Sequence, residues 1–255
     1  MDLSPAPSDS WDGLTPADPA APGRLTLPDR ASAVLFDLDG TISQSGPAII
    51  TALRETLEHL SLPTPEADDV RALVGPPLSV SLRDVLGLDP DQIAQVIPGY
   101  RARQRQLLRT IPAYDGVPEL IRSLAADGLP LAVATSKLES TAEEVIEAYG
   151  LRDCFVAVCG TPASEVGGSK HLVVGDALSR LTAVGCDVRH VVMVGDRHHD
   201  VSGAAVHQVP TIAVSWGYGA VEEWSEAAAV ARDPGELRAL LVGISPFLRP
   251  RLPTA

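Results

Sequence analysis

Two carboxylates two residues apart, Asp37 and Asp39, stand at the end of a short apolar run. The run, residues 33–36, is apolar without alternation, which predicts a strand buried on both faces, as in parallel sheets covered by helices. Ligands of such sheets bind beyond the carboxyl ends of the strands. Gly40 permits the tight turn that would present both carboxylates to one pocket. Because two uncompensated carboxylates this close repel each other, the pair favours binding of a divalent cation.

A hairpin turn is the alternative explanation for Asp39-Gly40, since Asp-Gly after apolar residues often forms one. Residues 41–46 do not resemble a returning strand, however, and this favours the ligand site. A second predicted strand, residues 129–137, ends in polar residues as the first one does. There Thr135 and Ser136 offer a hydroxyl and a backbone N–H to a phosphate oxygen, although such a pair is also common at helix N-caps.

A cation and a second pair of carboxylates follow later strands. Lys170 opens a helix predicted to run to about residue 183, where a cation is unfavourable unless an anion such as phosphate binds it; a solvated surface lysine is the alternative. The strand predicted at 191–195 ends in Asp196 and Asp200, placed so that Asp196 reaches the cation and Asp200 holds Lys170 or the water shell of the metal. Between them, the adjacent side chains of residues 198 and 199, both histidine, point in different directions, so a solvated or orienting role is favoured over metal ligation.

The elements that must position these residues alternate along the chain. Strands are predicted at 33–36, 129–137, 154–159, 191–195 and 211–214, and helices at 47–60, 66–74, 79–86, 90–108, 116–126, 139–148 and 170–183, with a last helix ending at 242. The loop Trp216–Gly219 is placed to line the site. This order predicts an α/β fold, with a Rossmann-like parallel sheet, helices on both of its faces and an all-helical segment inserted after the first strand.

Composition bounds the possible functions. With 255 residues, 45% hydrophobic and 21% charged, the chain can bury a sizeable core in one domain or in a domain with a small insert. A net charge of -13 opposes binding to a nucleic acid polymer. No apolar run approaches the roughly 20 residues that span a bilayer, and the N-terminus lacks the pattern of a secretion signal, so we expect no membrane partner and a cytoplasmic location. The three cysteines lie in or beside apolar stretches and are expected to be reduced and mostly buried.

The ends of the chain differ from its middle. Residues 1–30 are rich in Pro, Ala, Ser and Asp and are predicted to be a disordered arm, either inert or a docking segment. Residues 244–255 are predicted to be a flexible tail. The expected domains are a core of residues 31–46 and 113–243 and a helical cap of residues 47–112.

The string Phe-Asp-Leu-Asp-Gly-Thr at 36–41 closely resembles the first motif of the haloacid dehalogenase superfamily of phosphohydrolases. The resemblance covers roughly residues 31–243, with all four motifs in order. It implies a nucleophile at Asp37, an acid/base at Asp39, and Mg²⁺ held by Asp37, Asp196 and the carbonyl of Asp39. The implied phosphate-binding residues are Gly40, Thr41, Thr135, Ser136 and Lys170.

Within the superfamily, the strings Val-Ala-Thr-Ser-Lys, Gly-Asp-Arg-x-His-Asp and Trp-Gly-Tyr-Gly look most like the phosphoglycolate phosphatase and 5'-nucleotidase branch. They are also similar to mycobacterial protein-tyrosine kinases built on this fold. In relatives, the turn matching Gly75-Pro76-Pro77 faces the active site and helps to choose the substrate; a plain helix connector is the alternative. Relatives usually carry an arginine shortly before the lysine of the third motif, and this chain does not.

The expected function is Mg²⁺-dependent hydrolysis of a small phosphomonoester through an aspartyl-phosphate on Asp37. A dehalogenase is disfavoured because it has no use for Asp39 or a metal. The alternatives are a phosphotransferase acting on protein tyrosine or on a sugar, and a non-catalytic interaction protein. The expected partner is a small phosphorylated metabolite, with a protein substrate as the alternative, and the chain is expected to be a monomer or dimer.

Overall fold

A computed structural model of the protein describes residues 25–65, 73–76, 78–162 and 169–243. Several predictions from sequence lie outside these residues. They are the arm up to residue 24, most of the helix predicted at 66–74, Pro77, the missing arginine before Lys170 and the tail at 244–255. The described residues contain both predicted carboxylate pairs and the strands that carry them.

Six strands form one parallel sheet in the order β3-β2-β1-β4-β5-β6. The strands are β1 (Ala33–Phe36), β2 (Leu131–Leu138), β3 (Ala157–Thr161), β4 (Val191–Gly195), β5 (Thr211–Val214) and β6 (Ala229–Ala231). β1 lies between β2 and β4, with Phe36 beside Val133 on one side and beside Val194 on the other. The strand order reverses at β1, so the carboxyl ends of β1, β2 and β4 surround the position at which such sheets bind ligands.

Eight α-helices are described. They are α1 (Gly46–His59), α2 (Leu78–Asp84), α3 (Pro90–Leu107), α4 (Val117–Ala126), α5 (Glu139–Ala148), α6 (Lys170–Ala183), α7 (His198–Ala205) and α8 (Pro234–Val242). Alternate residues of β1 face opposite sides of the sheet. Val34 and Phe36 pack in a cluster with α4, α5 and α8, whereas Ala33 and Leu35 pack in a second cluster with α6 and α7. Helices therefore cover both faces, as predicted.

The described residues between β1 and α4 contain only helices, namely α1, α2, α3 and a 3-10 turn at Leu108–Thr110. We call α1 to α3 the cap. These helices have an apolar cluster of their own, which includes Leu53, Leu57, Leu82 and Val96. The predicted fold class, a parallel α/β sheet with an all-helical insert after its first strand, is confirmed. Among the described residues, every helix is too short or too polar to cross a membrane.

Two strands differ from the sequence prediction. β3 begins at Ala157 and not at Cys154, because Arg152–Cys154 forms a 3-10 turn and Phe155 packs edge-on against Phe36. β6 was not predicted as a strand, because three residues dominated by alanine carry little strand propensity. The other described elements begin and end within two residues of their predicted bounds. All three cysteines are free, and Cys159 is the fully buried one.

Candidate active site

Six charged side chains converge at the carboxyl edge of the sheet. β1 leads into two of them, β4 and α7 supply two more, and β2 and α6 each supply a lysine; the six are Asp37, Asp39, Lys137, Lys170, Asp196 and Asp200. Each retains at most 9% of its accessible surface. Buried charges are tolerated when they are paired or hold a metal, so this cluster needs partners for four carboxylates and two ammonium groups.

Lys170, the first residue of α6, lies between two of the carboxylates. Its Nζ donates to Asp37 Oδ1 at 2.6 Å and to the carbonyl oxygen of Ala134 at 2.9 Å, and it lies 2.8 Å from Asp200 Oδ1. Burial lowers the pKa of Lys170, but the Asp200 and Asp37 carboxylates raise it further, so the net shift is upward. The lysine is therefore a buried cation at the helix N-terminus, with Asp200 as one of its partners.

Asp37, Asp196 and Asp200 form a compact set of oxygen donors. One carboxylate oxygen of each lies within 4.8 Å of the others. Burial raises the pKa of Asp37 to about 7, and the neighbouring carboxylates add to this effect although Lys170 opposes it. Burial, Asp200 and Asp37 also raise the pKa of Asp196 well above its usual value. The excess negative charge and the hard oxygen donors fit a Mg²⁺ ion.

This set overlaps with the ligands expected from the sequence but is not identical to them. Asp37 and Asp196 belong to both sets. Asp200, which was expected to hold Lys170 or the water shell of the metal, belongs to the set of three carboxylates and also lies 2.8 Å from Lys170 Nζ. The expected contribution of Asp39 was its backbone carbonyl, which stays a prediction. Its side chain faces elsewhere.

Lys137 binds the Asp39 side chain, and sequence reasoning missed this residue. Its Nζ donates to both carboxylate oxygens, at 3.0 Å and 2.9 Å. The pair is almost fully buried, with 4% of the lysine side chain and 12% of the aspartate side chain accessible. A signal was available in the composition, because the chain contains only two lysines, Lys137 and Lys170, against eighteen arginines. Both lysines lie in this site.

The turn after β1 is closely fitted to Asp196. Thr41 Oγ1 lies 3.4 Å from Asp196 Oδ1 and donates to it. Gly40 has a φ of +89°, and a Cβ there would collide with the Asp196 carboxylate. The opposite side of Asp196 is bound by the loop after β5, where the Tyr218 N–H donates to Asp196 Oδ2 at 2.7 Å. The loop at 216–219 thus lies against the site, and Gly40 is required for close packing as well as for the turn.

Thr135 and Ser136 lie at the end of β2, beside Lys137. Thr135 is buried, and its Oγ1 accepts a hydrogen bond from the Lys137 N–H at 3.2 Å. The carbonyl oxygen of Ser136 accepts one from Thr161 Oγ1 at 2.7 Å. Their place at this edge agrees with a role in binding phosphate, which stays a prediction, as it does for Gly40 and Thr41.

A cleft separates the cap from the sheet next to Asp39. Gly75 and Pro76 line it from the cap, and Ser136 and Lys137 line it from the sheet. Gly75 and Pro76 of the predicted specificity turn therefore face this cleft, and their role in choosing the substrate stays a prediction. Other cap residues that line the cleft are Ile49, Leu53, Leu73, Leu78, Ser79, Tyr100, Arg101 and Gln104.

Arg197 connects the site to the specificity turn, a contact that the sequence did not reveal. Its Nη1 donates to the carbonyl oxygen of Val74, and its Nε donates to Glu223 Oε2 at 2.9 Å. The same Glu223 oxygen lies 3.0 Å from His198 Nδ1. The His199 ring lies against that of His198, with centroids 3.7 Å apart. His198 is thus held by Glu223 at the edge of the site, in line with an orienting role.

Residues 34–214 match the family model described as haloacid dehalogenase-like hydrolase. The tyrosine-protein kinase PtkA of Mycobacterium tuberculosis (strain ATCC 25618 / H37Rv) is 38% identical over 187 residues, or 73% of this chain and 62% of that protein. The chain thus spans less than two thirds of the length of this relative. A 5'-nucleotidase of Pseudomonas aeruginosa is 31% identical over 191 residues, 74% of this chain and 85% of that protein.

The fold is also similar to solved structures. A crystal structure of "a predicted phosphatase" from Clostridium acetobutylicum matches with a TM-score of 0.75 at 28% identity, over 82% of this chain and 97% of that one. The match covers nearly all of the other chain and most of this one, so the two proteins share the same fold.

Proposed function

Because the chain belongs to the haloacid dehalogenase-like hydrolase family, we propose that it is a Mg²⁺-dependent phosphohydrolase that releases phosphate from a small phosphomonoester. The observation that carries the proposal is the buried Asp37 carboxylate, 2.6 Å from Lys170 Nζ and next to Asp196 and Asp200. This arrangement supplies a nucleophile, a cation for the phosphate oxygens and a set of metal ligands at one point.

In the first step, a carboxylate oxygen of Asp37 attacks phosphorus and the P–O bond of the ester breaks. Asp39 donates a proton to the leaving alkoxide oxygen, so the alcohol departs. In the second step, Asp39 accepts a proton from water, whose oxygen attacks the same phosphorus and breaks its bond to Asp37. Inorganic phosphate is released and both carboxyl groups return to their starting states. In the structure Lys137 donates to both oxygens of Asp39, which orients the carboxylate form that accepts the proton from water in the second step.

Asp37, Asp196 and the backbone carbonyl of Asp39 would hold Mg²⁺, and Asp200 would position Lys170 and the water shell of the metal. When bound, the ion offsets the charge repulsion between the nucleophile and the phosphate. Lys170 and the Thr135 hydroxyl stabilise the remaining phosphate oxygens. Burial of these groups strengthens each of these interactions, because little water is left to screen them.

The direct test measures phosphate release from a panel of phosphorylated metabolites, with Mg²⁺ and after treatment with EDTA. We expect turnover of at least one small phosphomonoester with Mg²⁺, loss of turnover in EDTA, and recovery when Mg²⁺ is restored. Full activity in metal-free buffer would contradict the metal-dependent mechanism. No release from any ester by folded, Mg²⁺-bound protein would favour the non-catalytic alternative.

The polar side chains of Arg101 and Gln104 line the cleft from α3, which favours a substrate that carries a polar or anionic group besides its phosphate. Replacing Arg101 with Ala should then raise KM for an anionic ester, such as a phosphorylated hydroxy acid or a 5'-nucleotide, and leave the turnover of a neutral aryl phosphate nearly unchanged. Arg105→Ala is a matched control, since Arg105 lies on the same helix and pairs with Glu144. Equal losses for both esters would contradict a specificity role.

A phosphotransferase is the second candidate, favoured by the 38% identity to a protein named as a tyrosine kinase. The two activities differ only in whether water or another hydroxyl reaches the phosphorylated Asp37, which closure of the cap would decide. The test supplies the protein with a phosphoryl donor and a tyrosine-containing protein. Phosphotyrosine formed in preference to inorganic phosphate would favour the transferase, and free phosphate alone would favour the hydrolase.

A further inference from the structure

Two chain segments join the cap to the sheet. We call these segments, residues 43–46 and 111–114, the cap linkers. They lie side by side, with the Gln44 N–H donating to the carbonyl oxygen of Pro112 at 2.9 Å. Ser43 and Ala113 also form a short antiparallel bridge. Because the linkers are the covalent connections to the cap, any movement of the cap over the cleft must change them.

Tyr218 contacts both linkers and the carboxylate of Asp196. Its backbone N–H donates to Asp196 Oδ2 at 2.7 Å. Its hydroxyl oxygen accepts a hydrogen bond from the Gly46 N–H at 2.7 Å, at the end of the first linker. The Tyr114 side chain, at the end of the second linker, lies beside the same hydroxyl and interacts with it. One residue thus joins a proposed metal ligand to both ends of the hinge.

The chain is shaped to admit the Tyr218 ring at this place. A Cβ at Gly46 would lie 2.7 Å from Tyr218 Cζ, so only glycine allows the ring to approach the start of α1. The Tyr218 side chain also packs against the apolar cluster of the cap. On the other side, a Cβ at Gly217 would collide with Asp196. These close approaches leave the residue little freedom to move independently of either neighbour.

We infer that Tyr218 is a positioning residue that couples occupancy of the metal site to the conformation of the cap linkers. The inference rests on the proposed metal site. A cation that holds the Asp196 carboxylate also fixes the acceptor of the Tyr218 N–H, and the hydroxyl then holds the linkers in the arrangement described above. Coupling of this kind needs a contiguous set of contacts, which the path Asp196–Tyr218–Gly46 provides.

Tyr149 offers a matched control. Its hydroxyl also touches both linkers, 2.9 Å from Ser43 Oγ and 3.2 Å from the carbonyl oxygen of Ile111. Among the described residues it makes no hydrogen bond to a carboxylate of the site. Tyr149→Phe and Tyr218→Phe therefore each remove one hydroxyl from the same hinge, but only Tyr218→Phe breaks the path to Asp196.

The experiment measures amide hydrogen exchange of both linkers, with and without Mg²⁺, in the full chain and the two variants. Isothermal titration with Mg²⁺ alone and circular dichroism establish binding and folding for each protein. We expect Mg²⁺ to slow linker exchange about two- to tenfold in the natural chain, as expected when one hydrogen bond limits local opening. The same slowing should persist in Tyr149→Phe and be lost in Tyr218→Phe.

The outcomes separate this inference from the proposed function. Two results would overturn the coupling and leave the phosphohydrolase proposal standing. In one, Mg²⁺ still slows linker exchange in Tyr218→Phe; in the other, Mg²⁺ binds the natural chain but does not slow linker exchange. Failure of Mg²⁺ to bind would overturn both. If Tyr218→Phe does not fold, Tyr114→Phe is the second variant. It keeps the contact between Tyr218 and Gly46, so the slowing of exchange by Mg²⁺ should be lost only in residues 111–114. Retained slowing there would also count against the inference.

Discussion

At the scale of single residues, each of the two proposed catalytic carboxylates has its own lysine. Lys170 binds Asp37 at 2.6 Å, and Lys137 binds both oxygens of Asp39. Apart from histidine, every other basic side chain of the protein is an arginine. A lysine ammonium is a compact point charge on a flexible stem, whereas the arginine guanidinium is a broad planar group. A compact ammonium group suits the position of Lys170, where Nζ lies within 2.9 Å of two carboxylates and a backbone carbonyl.

Asp37→Asn is expected to abolish turnover and leave the fold intact. The change removes the nucleophile but preserves its shape, and it reduces the repulsion among the buried carboxylates. Phosphate release and the thermal unfolding midpoint measure the two effects. Asp153→Asn, an isosteric change at an exposed position, is the control. Normal phosphate release by folded Asp37→Asn protein would remove Asp37 from the mechanism.

Lys137→Met should lower kcat about ten- to a hundredfold in a folded protein. Hydrogen bonds to a charged group contribute about 1.5–3 kcal/mol, and the loss of these bonds leaves Asp39 poorly oriented for proton transfer. Steady-state kinetics of phosphate release measures the change. Arg83→Met, which removes a cation from the exposed face of α2, should have no such effect. An unaltered kcat in Lys137→Met would show that the ion pair has no part in orienting the acid/base.

At the scale of elements, the loop after β4 and the 3-10 turn at Val221–Trp224 together hold the cap. Arg197 extends from the first of these to the carbonyl oxygen of Val74, and Glu223 of the second binds its Nε. The Trp224 indole N–H donates to the backbone carbonyl of Asp196 at 2.6 Å. The loop that carries Asp196 therefore also carries Arg197, which contacts the cap beside the specificity turn.

Glu223→Gln should reduce stability in a way that depends on pH. Burial raises the pKa of Glu223, but hydrogen bonds from His198 and Arg197 lower it further, to about 2 from an ordinary 4.5. A depressed pKa in the folded state gives stability that is fully present above about pH 4.5 and is lost as the pH falls toward 2. Urea unfolding should show a cost of about 1.5–3 kcal/mol for the variant at neutral pH and a smaller cost near pH 3.

Glu222→Gln controls for the loss of a carboxylate at the neighbouring, exposed position. Its stability should follow that of the natural chain at both pH values. A difference between the natural chain and Glu223→Gln that stays constant on acidification would contradict the assignment of a depressed pKa to this carboxyl group.

At the scale of the whole molecule, the described residues contain the sheet, the cap and all six charged side chains of the site. Residues before β1 already belong to this folded unit. Leu27 packs against the apolar cluster of the sheet, and the Ala31 N–H donates to the carbonyl oxygen of Leu241 at the end of α8. A truncation that is meant to test the N-terminal arm should therefore remove residues 1–24 and keep residue 25 onward.

Removal of residues 1–24 is expected to leave hydrolysis of a small phosphate ester nearly unchanged, since the groups that position the ester all follow residue 25. If the natural substrate is a protein, the arm can supply docking, and its loss should raise KM for that protein while sparing the small ester. Kinetics with both substrates distinguishes these results. A truncated protein that keeps its circular dichroism spectrum but loses small-ester turnover would refute the expectation.

The fold class and most of the site can be predicted from the sequence alone. Apolar runs that end abruptly in carboxylates identify buried parallel strands and the edge at which ligands bind, because both are local properties of the chain. Asp37, Asp39, Asp196 and Asp200 could be selected in this way. Lys170 could be selected as a cation at a predicted helix N-terminus, and the structure places all five side chains at this edge.

Which partner each charge has depends on the tertiary structure. The position of Lys137 beside Asp39 depends on the register of β2 against β1 and on an irregularity between Ala134 and Leu138, neither of which is a local property. The contact of Tyr218 with Gly46 joins residues 172 positions apart. Such contacts depend on the exact relative positions of close-packed helices, strands and loops. The periodicity of apolar residues along the chain does not determine these positions.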